Sequence, residues 1–344
     1  MLLILGLAPN IFNQLNSNLR RKFFMDSVKT IWPISVFPHQ GTTIGIVCLS
    51  APEPAANPDN FNRGVAWLES RGFKVKLAPH VLKQNGFLAA PPVDVAAELR
   101  DMLFDTQIGL IVVAGGGSNS NRLLPHLDME AIAAARKPIV GLSNPTMLLT
   151  AISAATSLVT FHGPILLWNF GGEPPIDEIT EQSLWSMLAH SDASLAVPAE
   201  PSWKWLREGA CQGRLLGGNL WSLQQLLGTP WQPDWRGAIL AIEDCFCELH
   251  QVAAILDHFS AVGVFDQISG LIIGVPLEIS ETELPYTGSF EDVVMESVGS
   301  RDIPILSGVH FGHTDKKLTL PLGSIMSLKS DSNSFQLADT IVFS

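Results

Sequence analysis

Residues 111–128 read IVVAGGGSNSNRLLPHLD, and the fold turns on how that stretch is understood. Ile111, Val112 and Val113 are β-branched and favour extended backbone, while Gly115 to Gly117 allow dihedral angles that a side chain forbids. Leucines follow from Leu123, so the simplest reading is a strand, a tight turn and a helix from about Arg122. Three uses of the turn stay open. A phosphate cradle would use Gly115 and Gly117, but the third glycine of G-x-G-x-x-G is replaced by Ser120, and no acidic residue closes a following strand. Small residues also make a plain strand-to-helix joint. A serine on such a bend can instead project its oxygen above the sheet beside helix N–H groups, although G-x-S-x-G is absent.

The same rhythm extends in both directions. Strands are expected at 43–50, 73–77, 108–113, 138–142 and 158–162, and helices at 62–71, 93–104 and 145–155. That alternation predicts a parallel sheet with helices on both faces and chemistry at its carboxyl edge. Composition shifts over 171–212 to Pro, Glu, Asp, Ser and scattered Trp, with one helix at 178–189, which reads as a linker. Beyond it lie strands at 237–242 and 270–274, a helix at 248–262, and short strands at 304–307, 318–320, 325–329 and 334–342. The expected organisation is an α/β domain at 38–170, the linker, and a β-rich α+β domain at 213–344. MLLILGLA has the look of a short signal core, yet no basic residue precedes it and no clear cleavage site follows. Met25 therefore competes with Met1 as the natural start, and residues 1–37 are expected to form a poorly ordered extension.

Composition narrows the function. The 344 residues are 47% hydrophobic and 16% charged, as in a compact globular protein. A net charge of −12 without a basic stripe argues against nucleic acid or an anionic membrane as partner. Cys48, Cys211, Cys245 and Cys247 are too few and too scattered for a disulfide framework, which suits reduced thiols in a cytoplasmic protein. No apolar run approaches the roughly 20 residues of a membrane span. Neither HExxH nor a Cys-His cluster is present, so no metal and no cofactor are expected. Two segments could serve a nucleophilic hydroxyl: GAILAIEDCF, where an apolar strand delivers Glu243 and Asp244 at its end, and SGVHFGHTDKKLTLPLG, where His310 and His313 flank a glycine.

At this point several blocks carry a resemblance. GGSNSNRLLPHLD, PIVGLSNPTMLLTAI, LVTFHGPILLWNFG, GRLLGGNLWSLQQLLGTPW, GAILAIED and SGVHFGHTDKKLTLPLG, spanning about Gly41 to Gly323, resemble the LD-carboxypeptidase family of serine peptidases, which includes the microcin C self-immunity proteins. The resemblance implies a flavodoxin-like, or class I amidotransferase-like, N-terminal sheet domain and a smaller C-terminal β-rich domain that share a Ser-Glu-His triad. Carried over by position, the nucleophile falls on Ser120, the acid on Glu243 and the base on His313. Ser118, Asp244 and His310 are the respective competitors.

The backbone N–H groups of Asn121 and Gly117 are the oxyanion-hole candidates, Arg122 is placed to meet a terminal carboxylate, and His162 to line the pocket. The implied reaction is release of terminal D-alanine from a murein-derived peptide. GGSNSN is closer in style to the immunity proteins, for which the substrate is a peptidyl or aminoacyl adenylate analogue; Trp168, Trp185, Trp203 and Trp205 could then give a purine its aromatic platform, or simply pack a domain joint. A catalytically silent ligand-binding protein on this fold is the remaining alternative. A homodimer is expected from the resemblance alone.

Overall fold

The computed structural model describes residues 30–34, 41–189, 196–197, 199–280 and 288–338. Residues 1–29 and 35–37 of the expected extension, and the expected strand 334–342 beyond residue 338, lie outside the described residues.

The first half builds β1 (Thr43–Val47), α1 (Pro58–Ser70), β2 (Lys74–Leu77), α2 (Pro92–Phe104), β3 (Ile108–Val113), α3 (Met129–Ala135), β4 (Ile139–Gly141), α4 (Pro145–Thr156) and β5 (Thr160–His162). These strands pair in parallel in the order β2-β1-β3-β4-β5, the flavodoxin-like order. Helices on both faces explain why β3 and β4 are apolar throughout: Leu110 to Val113, Ile139 and Val140 are all wholly buried. Proline opens α1, α2 and α4, where a missing N–H costs no intrahelical bond.

The helix expected from Arg122 is instead a 3₁₀ turn over Ser120–His126. Pro125 inside it can donate no backbone hydrogen bond, so an α-helix cannot form until Asp128 restarts one by accepting from the Ala131 N–H at 2.9 Å. Residues 30–34 pack on the first domain: Trp32 is buried, and Ile31 bonds to Ser157 and Val159.

The second half adds α5 (Glu178–Ala189), β6 (Ala196–Val197), β7 (Lys204–Arg207), β8 (Ala210–Asn219), β9 (Ile239–Glu243), α6 (Leu249–Ala261), β10 (Gly270–Gly274), α7 (Phe290–Val298), β11 (Ile305–Val309), β12 (Leu320–Leu322), β13 (Ile325–Lys329) and β14 (Ser334–Leu337). Its sheet runs β6-β14-β13-β8-β9-β10-β11-β7, with a parallel centre, β8 to β11, flanked by antiparallel strands. The segment read as a linker, 171–212, thus holds α5 and, from residue 196, strands of this sheet.

β12 crosses over to the first sheet and pairs antiparallel with β5, Leu320 opposite His162. α4 lies against β8, where Thr150 Oγ1 donates to the Gly217 carbonyl at 2.6 Å and Thr146 Oγ1 accepts from the Asn219 N–H at 3.1 Å. One continuous apolar core therefore spans both halves. Among the described residues no helix is long and apolar enough to cross a membrane.

Candidate active site

Glu243 ends β9, a strand buried along its whole length, and the carboxylate has no exposed surface. A buried charge needs partners. His313, in the loop after β11, supplies one through Nδ1 at 2.7 Å from Glu243 Oε2. The approach depends on Gly312, whose φ of 93° suits glycine and where a Cβ would stand 2.5 Å from the Glu243 carboxylate.

On the other side, His162 at the end of β5 is buried edge-on against Phe311, with Nε2 3.9 Å from Glu243 Oε1. That exceeds hydrogen-bond reach, and neither His162 ring nitrogen has a hydrogen-bond partner among the described residues. Burial alone would raise the Glu243 pKa, but attraction to the imidazoles of His313 and His162 outweighs it and holds the group well below the usual carboxylate range. Burial alone would likewise depress His313, and Glu243 outweighs it in the opposite direction. His313 is therefore more basic than a free histidine.

Asp244, the neighbouring carboxylate, faces away from the imidazole. It accepts from Asn219 Nδ2 at 2.9 Å, the Trp221 N–H at 3.0 Å and the Cys245 N–H at 2.9 Å, and so ties the ends of β8 and β9 together. Burial and repulsion from Glu243 push its pKa up to about 6. His310 points elsewhere, 3.6 Å from Glu200.

The hydroxyls at the edge of the first sheet divide sharply. Ser120 is wholly buried and, among the described residues, its Oγ has no hydrogen-bond partner; its backbone N–H donates to Asn144 Oδ1 at 2.8 Å. Ser118 is exposed. Ser143, one turn further along the sheet, sits between β4 and α4 with φ 64°, a left-handed conformation uncommon for serine. A Cβ on Gly116 would come within 2.9 Å of Ser143 Oγ, so the glycine run of residues 115–117 gives this serine its space. Asn144 fastens the two turns: Oδ1 accepts from the Ser120 N–H and from Ser50 Oγ at 2.7 Å, and Nδ2 donates to Ser222 Oγ at 3.2 Å.

Ser143 and His313 line the same cavity of about 410 Å³, together with Glu53, Gly116, Trp168, Cys245, Phe246 and Lys317. Ser143 also borders an adjoining space of about 300 Å³ with Gly117, Asn219, Trp221 and Phe246. Ser120, Asn121, Arg122 and His162 line neither; Asn121 and Arg122 are exposed on the 3₁₀ turn. Ser143 stands in GLSNP, where glycine, serine and a helix-opening proline mark an abrupt strand-to-helix bend, a signal the sequence reading did not use.

Trp168 reaches the cavity from a π-helical turn, Leu166–Phe170, and donates through Nε1 to Glu53 Oε2 at 3.2 Å. The other tryptophans considered for a platform lie elsewhere: Trp185 stacks on Phe73, and Trp205 bonds Asn333. Among the described residues there is no cluster of His, Cys, Asp and Glu suited to a metal ion.

A flavodoxin-like sheet whose carboxyl edge faces a buried Glu-His pair from a second sheet defines a class of two-domain α/β proteins. Residues 44–163 match the model of the LD-carboxypeptidase N-terminal domain, and residues 212–328 match that of its C-terminal domain. The microcin C7 self-immunity protein MccF of Escherichia coli is 31% identical over 325 residues, covering 87% of this chain and 94% of the relative. A Bacillus subtilis protein named "Probable murein peptide carboxypeptidase" is 29% identical over 286 residues, covering 83% of this chain and 88% of the relative. The structure of MccF in complex with aspartyl sulfamoyl adenosine superposes with a TM-score of 0.81 at 31% identity, over 90% of this chain and 98% of that one. The chain belongs to the LD-carboxypeptidase family.

Proposed function

We propose that the protein is a serine hydrolase in which Ser143 attacks an acyl carbon, His313 takes its proton and Glu243 holds the imidazole. The resemblance placed the nucleophile on Ser120, whose wholly buried hydroxyl borders neither cavity; Ser120 stays the alternative nucleophile, and a place on the cavity wall favours Ser143. One observation carries the reading. A serine held at a left-handed bend shares a cavity with a histidine whose Nδ1 is already bound to a buried carboxylate, which leaves Nε2 for the hydroxyl proton.

Attack on an amide carbonyl develops negative charge on its oxygen. The N–H of Asn144, next after the nucleophile, and that of Gly117 are the donors we assign to it. The Gly116 N–H is already engaged by Glu53 Oε2 at 2.7 Å. Protonated His313 then delivers its proton to the leaving nitrogen, and water hydrolyses the acyl-enzyme by the same route.

The substrate reading is release of a terminal residue from a murein-derived peptide, in keeping with the name of the Bacillus subtilis relative. A second reading, hydrolysis of an aminoacyl-nucleotide analogue such as the one bound by MccF, is favoured by Trp168, Trp221 and Phe246, large exposed rings at the mouths of the two spaces. Purified protein should be offered L-Ala-γ-D-Glu-meso-diaminopimelate-D-Ala and aspartyl sulfamoyl adenosine. Free D-alanine supports the first reading and cleavage of the aspartyl linkage the second, whereas turnover of neither would sink the hydrolase. We extend the expectations of a cytoplasmic location and a homodimer as part of the same proposal.

A further inference from the structure

The cavity contains a charge that the proposed triad does not use. Lys316 and Lys317 are adjacent in sequence but meet opposite fates. Lys316 is half-exposed and pairs with Glu200 at 2.9 Å. Lys317 is 3% exposed, lines the cavity with Ser143 and His313, and its ammonium makes no hydrogen bond or ion pair with any described residue.

A lysine buried without a counter-ion is uncommon, because the charged form loses its hydration and gains nothing in return. Here burial depresses the pKa to about 8, and the more distant charges of Asp315 and Glu243 offset that only in part. The backbone holds the side chain in this position: the Lys317 N–H donates to Thr180 Oγ1 at 2.9 Å, the Leu318 N–H donates to the His310 carbonyl at 2.7 Å, and β12 begins two residues later. Of the two carboxylates on the wall, Glu53 is committed through Oε2 to the Gly116 N–H and Trp168 Nε1, and Asp315 attracts Lys317 without forming an ion pair with it. Among the described residues, Lys317 thus has carboxylates in its neighbourhood but none within ion-pair distance.

We propose that Lys317 is a specificity residue that seats the anionic group of the substrate next to the scissile acyl bond. The inference rests on the hydrolase reading and deepens it. The shared chemistry is a fixed negative charge a few bonds from the reacting carbonyl. On a peptide that charge is the terminal carboxylate of the departing residue, and on an aminoacyl-nucleotide analogue it is the acidic linker. An uncompensated ammonium at that position explains why a free end, and not an internal peptide bond, would be cut.

Binding to the full chain carrying Ser143→Ala separates recognition from turnover. Calorimetry would compare L-Ala-γ-D-Glu-meso-diaminopimelate-D-Ala, its terminal carboxamide and aspartyl sulfamoyl adenosine, before and after adding Lys317→Met. Removing one partner of a desolvated charge pair should weaken the matching ligand by about 30-fold or more. Loss confined to the tetrapeptide acid, with acid and amide then bound within about three-fold of each other, assigns the seat to a terminal carboxylate. Loss confined to the sulfamoyl compound assigns it to the linker anion. Lys317→Arg should recover part of either loss, which repacking alone would not do. Methionine replaces an uncompensated charge, so the variant is expected to fold, and a thermal melt checks it. The inference is overturned if Lys317→Met moves no ligand by more than about three-fold, or if none of the three binds. Lys317-dependent binding without wild-type turnover would sink the hydrolase and leave the anion seat standing.

Discussion

Two neighbouring turns at the carboxyl edge of the first sheet look alike in outline and differ in what they present to the cavity. The turn after β3 holds three glycines and four candidate polar residues, yet its Ser120 is buried and engages the described residues only through its backbone N–H. The turn after β4 follows a single glycine, Gly141 at the strand's end, and its Ser143 is lifted to the cavity by a left-handed φ. Glycine content therefore marks where the backbone must yield to a neighbour, as Gly116 yields to Ser143. In the mechanism we propose, the reactive position is marked by strain on a residue that has a side chain.

The sharpest way to break the contrast is to delete each hydroxyl. Ser143→Ala should lower kcat by at least about 10⁴-fold with the fold intact, since loss of a triad nucleophile is among the largest single effects known for such sites. Ser120→Ala removes a buried hydroxyl with no partner among the described residues, so stability should stay within about 1 kcal/mol and activity within about ten-fold. The reverse ranking in steady-state assays would return the nucleophile to Ser120.

Next in size is Glu243→Gln, expected to cost about 10³- to 10⁴-fold in kcat, as for other triads deprived of their carboxylate. This variant also has a pH signature. The base must be neutral to accept a proton, and Glu243 holds the His313 pKa above its ordinary value of 6.5, so wild-type kcat/KM should climb into the alkaline range. With the negative charge gone the upward pull vanishes, and the rising limb should move to lower pH. A limb that stays put would mean another group titrates.

The smallest effect tests the fastening between the turns. Asn144→Ala strands the buried Ser120 N–H and the Ser50 hydroxyl, and should cost about 1 to 3 kcal/mol in denaturant unfolding. A loss below that range would mean that the two turns hold their places independently.

Much of this was legible in the sequence for a definite reason. Runs such as Ile108 to Val113 and Ile239 to Ile242 are apolar throughout because helices or a neighbouring sheet cover both faces, so their strands could be read directly. Glu243 and His313 were singled out, with Asp244 and His310 as competitors, because each pair stands where an apolar run stops; the resemblance, not the spacing, chose between them. Other features depended on partners far along the chain. β8 carries glycines at 213, 217 and 218 that hide its period, and α7 is a short amphipathic helix fixed by a Ser289 to Asp292 capping box. The choice of Ser143 over Ser120 rests on one dihedral angle and on which wall of a cavity each serine reaches. Nor does the pair Lys316 and Lys317 disclose that Glu200 takes only one of them.

β12 has a consequence for how the molecule is made and how it moves. Seven residues after His313 the chain leaves its own sheet to become the border strand of the other, opposite His162. The amino-terminal half, synthesised alone, would therefore present an open β5 margin, a template for sticking to other chains until residues 320–322 emerge to close it. Once latched, the loop that carries the imidazole is anchored at both ends, by β11 in one layer and β12 in the other. Breathing between the halves should then be restrained where Glu243 and His313 meet, and such a protein would open for its substrate at the cavity mouth, not along the seam.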